Sequence, residues 1–310
     1  MRIVFMGTPC FAARVLQGLI DNYKNDIVGV VSQPDRKVGR RHVLTNTPVK
    51  ELALSNNYLV LQPEKIRNDY QDVIDLKPDI IITCAYGQII PKELIDCPKY
   101  GCINVHASLL PKLRGGAPIH RAIIEGYDVT GVTIMYMDED MDTGDMISKV
   151  EVPILDSDNL ETLHDKLSEV GTKLLLDTLP SIFQGTNDRV SQNSDEATYA
   201  YNIKREEEHI DFNKSALDIF NLIRGLSPNP GCNAILDEKE IKIYKCYIGK
   251  DDYNAKCGEI VDISKDGIVV NCSDGSIVIQ EIKPFGKNKM DAISYVNGVG
   301  KSKLIGKVFY

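Results

Sequence analysis

The sequence predicts an α/β protein, with an open, mostly parallel Rossmann-like sheet domain followed by a small β-barrel or sandwich domain. Apolar strands alternate with helical segments over residues 1–187, and a polar stretch without sustained periodicity covers residues 188–206. Short strands separated by turn signals occupy residues 207–310. A length of 310 residues also favours two domains over one. We therefore expect two structurally different domains joined by a linker at residues 188–206.

The first domain begins with a short apolar run at residues 2–6, which predicts its first strand. Phe11, Val15 and Leu19 follow at a spacing of four, as on one face of a helix. Helices are also expected near residues 49–54, 70–76 and 160–184, and further strands at residues 27–31, 59–61, 80–84, 102–105, 132–136 and 147–152. Continuous apolar strands alternating with helices indicate a parallel sheet that is covered on both faces.

The second domain has a different pattern. A helical segment near residues 216–224 leads into a proline-rich turn at residues 227–231. Short strands follow near residues 241–244, 258–263, 267–271 and 276–282, separated by turn signals such as Lys-Asp-Gly and Ser-Asp-Gly. This alternation predicts a small β-barrel or sandwich.

The net charge of −8 argues against a nonspecific nucleic-acid binder, but the positive charge is locally concentrated. Residues 34–42 contain four basic side chains and one acid, and residues 282–310 contain six lysines and one aspartate. These two patches are either ordinary solvated surface or part of a binding site for an anionic partner. The charge pattern alone leaves both interpretations open.

None of the eight cysteines forms a C-x-x-C pair, which favours buried free thiols in a reducing cytosol over a zinc site. The apolar run at the N-terminus is too short for a signal peptide. No stretch approaches the roughly 18 apolar residues of a membrane helix. We therefore expect a cytoplasmic protein with no metal and no membrane partner.

Two polar residues leave the end of one predicted strand together. In the segment GCINVHASLLPKLRGG, Asn104 and His106 are two residues apart, so their side chains point to the same side of the strand. Ligands of open parallel sheets bind at the carboxyl ends of the strands. The sequence thus predicts a polar site here, although the same pair could simply satisfy backbone groups of the following loop.

An acidic loop follows the next predicted strand. Residues 137–145 carry five acidic side chains among nine residues, which repel one another unless they are solvated or have a purpose. A solvated loop, a magnesium site, and one carboxylate that folds inward to pair with the imidazole are all compatible with this pattern.

These residues together resemble the methionyl-tRNA formyltransferase family over nearly the whole length of the chain. The Asn-x-His, Ser-Leu-Leu-Pro and Asp-Thr-Gly-Asp combination is specific to folate-dependent formyltransferases. The basic loop and the β-rich tail of about 100 residues narrow the resemblance to the member that acts on tRNA. The matching segments are MGTPCFAARVLQGL, PDRKVGRRHVLTNTPVK, CAYGQIIPKELID, NVHASLLPKLRGGAPIHRAI and TGVTIMYMDEDMDTGDMI.

The resemblance implies a role for each matching position. It implies that the catalytic residues are Asn104, His106 and Asp142. The tetrahydrofolate contacts would come from Ser108, Leu109, Leu110 and Pro111. The acceptor end of the tRNA would be held by Arg36, Lys37, Arg40 and Arg41, and the C-terminal domain would be an OB-like β-barrel that follows the tRNA backbone.

The formyl donor implied by the family is 10-formyltetrahydrofolate, and the acceptor is the α-amino group of initiator methionyl-tRNA. Asn104 and a protonated His106 would donate hydrogen bonds to the oxygen that becomes negative as the formyl carbon turns tetrahedral. Oxyanion donors of this kind are worth roughly 3–4 kcal/mol each. Asp142 would orient the imidazole, accept the proton of the attacking amine, or both. A monomer is the default expectation.

Three alternatives use the same residues differently. A folate-dependent formyltransferase acting on a small amine, such as an aminosugar nucleotide or glycinamide ribonucleotide, needs neither the basic loop nor the β-domain. An RNA-binding protein with an inactive catalytic domain does not explain the intact Asn104, His106 and Asp142 set. A hydrolase of formyltetrahydrofolate would replace the amine with water.

Overall fold

A computed structural model describes residues 1–38, 42–250 and 253–310, so Arg40 and Arg41 lie outside the described residues. The chain divides into two compact units. Unit 1 comprises Met1–Pro118, Val129–Pro153 and His164–Tyr201. Unit 2 comprises Ile119–Asp128, Ile154–Leu163 and Asn202–Tyr310. Within the described residues, no helix is both long enough and apolar enough to cross a membrane.

Unit 1 is built on a seven-stranded sheet. In chain order the strands of this unit are β1 Ile3–Gly7, β2 Ile27–Val31, β3 Arg36–Val38, β4 Val43–Thr45, β5 Val60–Leu61, β6 Ile80–Cys84, β7 Cys102–His106, β8 Val129–Tyr136 and β9 Met146–Pro153. The sheet has the order β5-β2-β1-β6-β7-β8-β9, while β3 and β4 form a separate hairpin. Within this order the five neighbouring strands β5, β2, β1, β6 and β7 pair in parallel. This confirms the prediction of a mostly parallel, Rossmann-like sheet.

The central strands of this sheet consist mainly of buried apolar residues. All five residues of β1 and all five of β6 are buried, as expected for strands covered on both faces. The α-helices up to residue 184 are α1 Cys10–Tyr23, α2 Pro48–Ser55, α3 Gln71–Asp75, α4 Lys92–Asp96, α5 Pro118–Ile124 and α6 Leu160–Gln184. Helix α1 buries Phe11, Val15 and Leu19, the residues whose spacing predicted it.

The last two strands of the sheet run antiparallel to their neighbours, which the sequence pattern did not predict. Strand β8 pairs antiparallel with both β7 and β9. A parallel connection needs a crossover of a dozen or more residues, whereas only residues 137–145 separate β8 from β9. The acidic loop is therefore the turn of a hairpin. Its first residue, Met137, donates to the carbonyl of Cys102 at 2.8 Å, so the loop leaves the sheet beside the start of β7.

Unit 2 contains α5 from Ile119 onwards, the first residues of α6, and an antiparallel sheet with two further helices. Its remaining helices and strands are α7 Ala216–Gly225, β10 Cys232–Leu236, β11 Lys239–Ile248, β12 Ile260–Ile263, β13 Ile268–Asn271, β14 Ser276–Pro284, β15 Met290–Asp291 and α8 Ala292–Val299. The strand order is β10-β11-β14-β13-β12, and β15 pairs with β14. Buried isoleucines from β11, β13 and β14 form much of its core. The prediction of a β-rich second half is confirmed.

The C-terminal tail connects the two outer strands of this second sheet. Ile260 of β12 donates to the carbonyl of Lys307 at 2.8 Å, and Ile235 of β10 donates to the carbonyl of Tyr310 at 2.6 Å. Such bonds satisfy edge-strand groups that would otherwise be open to another chain. This arrangement is compatible with an OB-like barrel, and the assignment to that fold stays a prediction.

The eight cysteines are free thiols, but they are not uniformly buried. Cys10 and Cys97 are exposed, so the expectation of buried thiols is wrong for them. Burial raises the pKa of Cys84 and Cys102, which lie in the strands of the sheet of unit 1. These two thiols therefore stay protonated and act as small apolar side chains.

Candidate active site

Strand β7 carries Asn104 and His106 to the carboxyl end of the sheet, side by side. Asn104 is partly exposed, whereas His106 is 5% exposed. The neighbouring strands supply register partners: Thr83 of β6 lies beside Asn104, and Thr133 of β8 lies beside His106. The predicted pair therefore lies at the edge of the sheet where ligands of this architecture bind.

Of the five acids in the loop between β8 and β9, Asp142 is the one that faces this pair. Its Oδ1 lies 3.6 Å from Nδ1 of His106 and 3.5 Å from Nδ2 of Asn104. Its Oδ2 accepts a 2.8 Å hydrogen bond from the backbone N–H of Gly115. The backbone of Asp142 has φ +54°, a left-handed conformation that aspartate tolerates better than most residues.

Three of the other acids of this loop have partners of their own. Asp138 accepts from the hydroxyl of Thr143 at 2.7 Å, Glu139 pairs with Lys92 at 2.5 Å, and Asp145 pairs with Arg189 at 3.2 Å. Among the described residues, no group of three His, Cys, Asp or Glu side chains could hold a metal ion. The loop therefore directs one carboxylate inward rather than presenting several to a cation.

Both ring nitrogens of His106 face oxygen atoms. Nε2 lies 3.1 Å from the carbonyl of Leu113, and Nδ1 faces the Asp142 carboxylate. Leu113 adopts φ +59°, a conformation that costs a non-glycine residue about 1–2 kcal/mol, and its N–H donates to the hydroxyl of Thr198 at 2.9 Å. The imidazole is thus held on two sides, and any hydrogen bond from Nε2 to a substrate must be shared with Leu113 or replace it.

Thr83 is a site residue that the motifs did not reveal. Its hydroxyl lies 2.9 Å from Oδ1 of Asn104, 3.1 Å from the carbonyl of Ile103 and 3.2 Å from the sulfur of Met137. A carboxamide whose oxygen accepts from Thr83 has its NH₂ group turned away from Thr83 and towards Asp142. A lone threonine at the carboxyl end of a buried strand beside β7 was the available signal.

The four residues predicted to contact folate divide into two pairs. Ser108 and Leu110 are buried, and the hydroxyl of Ser108 donates to the carbonyl of Lys112 at 2.7 Å. Thr133 supports the same loop by donating to the carbonyl of Ser108 at 2.7 Å. Leu109 and Pro111 are partly exposed. The buried pair therefore shapes the loop, and the exposed pair is available to a ligand.

The segment expected to be a linker also holds the site together. Nε2 of Gln192 donates to the carbonyls of Asp142 and Gly144, both at 2.8 Å, while Oε1 accepts from the guanidinium of Arg114 at 2.8 Å. Arg114 is only 2% exposed. One glutamine thus joins the loop after β7 to the loop after β8. Sequence periodicity cannot reveal such a contact, because it links single residues far apart in the chain.

The basic loop forms the hairpin of β3 and β4 in its described part. Arg36 and Lys37 are exposed on β3, and a guanidinium nitrogen of Arg36 donates to Gln33 at 2.9 Å. At the start of the hairpin Lys50 donates to Asp35 at 2.5 Å, and this contact, followed by one from Gln62, lowers the pKa of Asp35. Arg40 and Arg41 belong to the same loop but lie outside the described residues.

The chain is similar to known proteins over almost all of its length. The family described as formyl transferase matches residues 1–179, and the family described as formyl transferase, C-terminal domain, matches residues 202–300. A methionyl-tRNA formyltransferase of Bacillus licheniformis is 52% identical over 305 residues, covering 96% of this chain and 95% of that protein. The protein of the same name from Bacillus subtilis is 50% identical over 301 residues, covering 96% of this chain and 94% of that protein.

Solved structures with more distant sequences share the fold. An N-formyltransferase of Helicobacter canadensis in complex with folinic acid and dTDP-3-aminofucose has a TM-score of 0.69 at 22% identity, covering 90% of this chain and 99% of that one. HypX of Aquifex aeolicus in complex with tetrahydrofolic acid has a TM-score of 0.66 at 16% identity. That match covers 96% of this chain, which spans about half, 47%, of HypX.

Proposed function

The chain belongs to the methionyl-tRNA formyltransferase family, and from this premise we infer that it transfers the formyl group of 10-formyltetrahydrofolate to the α-amino group of initiator methionyl-tRNA. The product is N-formylmethionyl-tRNA, used in translation initiation. The observation that carries this inference is 52% identity to a relative of that name, extending over 96% of the chain and both family domains.

In the proposed mechanism the methionyl nitrogen attacks the formyl carbon directly. The new C–N bond forms, the bond between the formyl carbon and N10 of the folate breaks, and one amine proton is transferred in net terms to N10. The α-amino group has an ordinary pKa of about 7.7, so about one sixth of it is already neutral at pH 7 and no strong base is needed to supply the nucleophile. The enzyme therefore needs mainly to stabilise the oxygen that becomes negative at the formyl group.

Asn104 is the oxyanion donor that the geometry supports best. Its Oδ1 accepts from Thr83, so its two N–H groups face the other way, and only one of them can point at Oδ1 of Asp142. We assign the second N–H to the formyl oxygen of the bound donor. Removing one such donor typically costs about 10²–10³ in turnover.

His106 and Asp142 complete the proposed site. Nε2 of His106 lies 3.1 Å from the carbonyl of Leu113, and Nδ1 faces the carboxylate of Asp142, so an oxygen atom lies on each side of the ring. Such a ring can donate to the formyl oxygen by exchanging its bond to Leu113. Asp142 orients the ring, and as the nearest carboxylate it is also the candidate acceptor for the amine proton.

Folate and tRNA are assigned to separate parts of the chain. HypX and the Helicobacter protein, which share the fold, were solved with folates, and this supports a folate as the donor here. We place that folate against the loop that contains Ser108, Leu109, Leu110 and Pro111, because Leu109 and Pro111 are partly exposed there. The acceptor end of the tRNA would contact Arg36, Lys37, Arg40 and Arg41. Residues 1–187 would form the catalytic domain and residues 207–310 the tRNA-binding domain. We also propose that the protein is a cytoplasmic monomer. Light scattering should then give a mass close to the chain mass of 34.5 kDa.

One assay separates this function from its alternatives. The purified protein is given labelled 10-formyltetrahydrofolate with charged initiator tRNA, an aminosugar nucleotide, glycinamide ribonucleotide, or no acceptor. We expect the label on methionine of the charged tRNA. Preferential formylation of a small amine would support the nearest alternative, release of formate without acceptor would support the hydrolase, and tRNA binding without transfer would leave only an RNA-binding protein.

A further inference from the structure

Two exposed tyrosines stack on each other beside the site. The rings of Tyr199 and Tyr201 have centroids 5.8 Å apart and planes 9° from parallel. Tyr199 is 48% exposed and Tyr201 is 62% exposed. The chain is extended here, so residues 199 and 201 point to one side and the fully buried Ala200 points to the other. Two large aromatic rings are thus presented together at the surface of unit 1.

This tyrosine pair is tied to the loop that orients the proposed catalytic groups. The N–H of Ala200 donates to the carbonyl of Arg114 at 2.7 Å, and the carbonyl of Ala200 accepts from Ala117 at 3.0 Å. A Cβ at Gly115 would meet the Ala200 oxygen at 2.9 Å, so the two segments are as close as a glycine allows. The same loop provides the Leu113 carbonyl to His106 and the Gly115 N–H to Asp142.

From this geometry we propose that Tyr199 and Tyr201 form a stacking platform for the unpaired 3′-terminal bases of the acceptor tRNA. The inference rests on the proposed function, which requires the aminoacylated end of an RNA to reach Asn104, His106 and Asp142. Single-stranded nucleotides bind proteins by stacking successive bases on aromatic rings, with little dependence on sequence. A parallel, exposed pair at the margin of the site has the shape that this contact requires.

Stacking, rather than charge, is the contact expected at this place. The turn immediately before the tyrosines carries the exposed acids Asp195 and Glu196, which repel phosphates. The tyrosine pair should therefore contribute an affinity that is insensitive to salt, unlike a cluster of lysines or arginines. This difference separates the pair from the basic hairpin experimentally.

The test compares Tyr201→Ala and Tyr199→Ala with Tyr201→Phe, which keeps the ring, as matched control. The wild type is first shown to formylate methionyl-tRNA, because failure there would remove the proposed function rather than this inference. We then expect each alanine variant to raise the KM for methionyl-tRNA roughly tenfold, the loss that one base stack predicts. The KM for 10-formyltetrahydrofolate and the salt slope of tRNA binding should stay unchanged, and Tyr201→Phe should resemble the wild type.

A second measurement needs no catalysis. Binding of an acceptor-stem RNA with its unpaired 3′ nucleotides is compared with binding of the same stem without them. Tyr201→Ala should remove the difference between the two RNAs. Equal KM values for tRNA in all variants would overturn the proposal. So would a raised KM for the folate alone, which would place the rings in the donor site, or an equal loss of binding for both RNAs, which would assign the rings to the paired stem.

Discussion

The hydroxyl of Thr83 lies 2.9 Å from Oδ1 of Asn104, and the two residues are register partners on adjacent parallel strands. An asparagine amide can rotate by 180° with little steric cost, which would exchange its oxygen and nitrogen. The threonine hydroxyl, buried at 3% exposure, selects the orientation in which the NH₂ group faces Asp142.

Replacing Thr83 with valine should therefore lower kcat about tenfold, because one orienting hydrogen bond is worth about 1–1.5 kcal/mol. The KM values for both substrates should change little, since valine has the same shape. Thr83→Ser retains the hydroxyl and should restore most of the rate. Steady-state kinetics on the three proteins measures this split. An unchanged kcat in the Thr83→Val variant would show that Asn104 does not depend on Thr83.

Asn104→Ala and His106→Ala should remove most of the turnover while leaving tRNA affinity nearly intact. Loss of the Asn104 donor is expected to reduce single-turnover formyl transfer by about 10²–10³. Affinity should survive because the proposed tRNA contacts lie in the basic hairpin and in residues 207–310. Single-turnover rates and a filter-binding curve for each folded variant test both halves of the expectation. Near-normal rates in either variant would show that the replaced residue is not catalytic.

Gln192→Leu should reduce both stability and turnover. The change leaves the buried Arg114 guanidinium without the Gln192 oxygen and removes two bonds to the Asp142 loop, at a cost of about 1–3 kcal/mol for an unsatisfied buried group. Gln17→Leu is the matched control, because Gln17 is exposed and its amide donates to the nearby Asp21 on the same helix. The free energy of unfolding in urea and kcat are measured for wild type and both variants. Similar losses in Gln192→Leu and Gln17→Leu would contradict the proposal that Gln192 holds the Asp142 loop in place.

Neutralising the basic hairpin should weaken tRNA binding and its dependence on salt. Each alanine substitution of Arg36, Lys37, Arg40 or Arg41 that removes one phosphate contact should lower the slope of log affinity against log salt by about 0.7–0.9. Lys24→Ala, at an exposed position elsewhere in unit 1, serves as control. Binding is measured at several salt concentrations. An unchanged slope in the hairpin variants would show that these residues are ordinary solvated surface residues without phosphate contacts.

The Asp35–Lys50 ion pair should make stability depend on acid pH. The hydrogen bond from Lys50 lowers the pKa of Asp35 below its ordinary value of 3.8. A group whose pKa is lower in the folded state contributes stability that is fully present above that ordinary value and is lost as the pH falls through the folded pKa. Asp35→Asn should thus be less stable than wild type near neutral pH, and the difference should shrink below about pH 4. Urea unfolding of both proteins from pH 7 to pH 3 measures this difference in the free energy of unfolding. A difference that stays constant with pH would show that it does not come from the ionised Asp35 carboxylate.

Much of the fold was predictable because local patterns specify it. Continuous apolar runs predicted β1, β2 and β6, and a spacing of four predicted α1, since burial on a sheet or on one helix face imposes those periods. The directions of β8 and β9 were not predictable from apolar pattern, because a strand has the same pattern in either direction. Their antiparallel pairing follows from the short connection between them.

The sequence by itself determined that Asn104 and His106 lie together at the end of one strand, because the two-residue period of a strand requires it. It also determined that a cluster of acids follows the next strand. The family resemblance selected Asp142 among these acids, and the tertiary structure shows its carboxylate facing the imidazole. Only the tertiary structure showed that Thr83, Leu113 and Gln192 hold the three side chains in place. These contacts depend on register between strands and on loops that meet through space, and a local pattern contains no information on either.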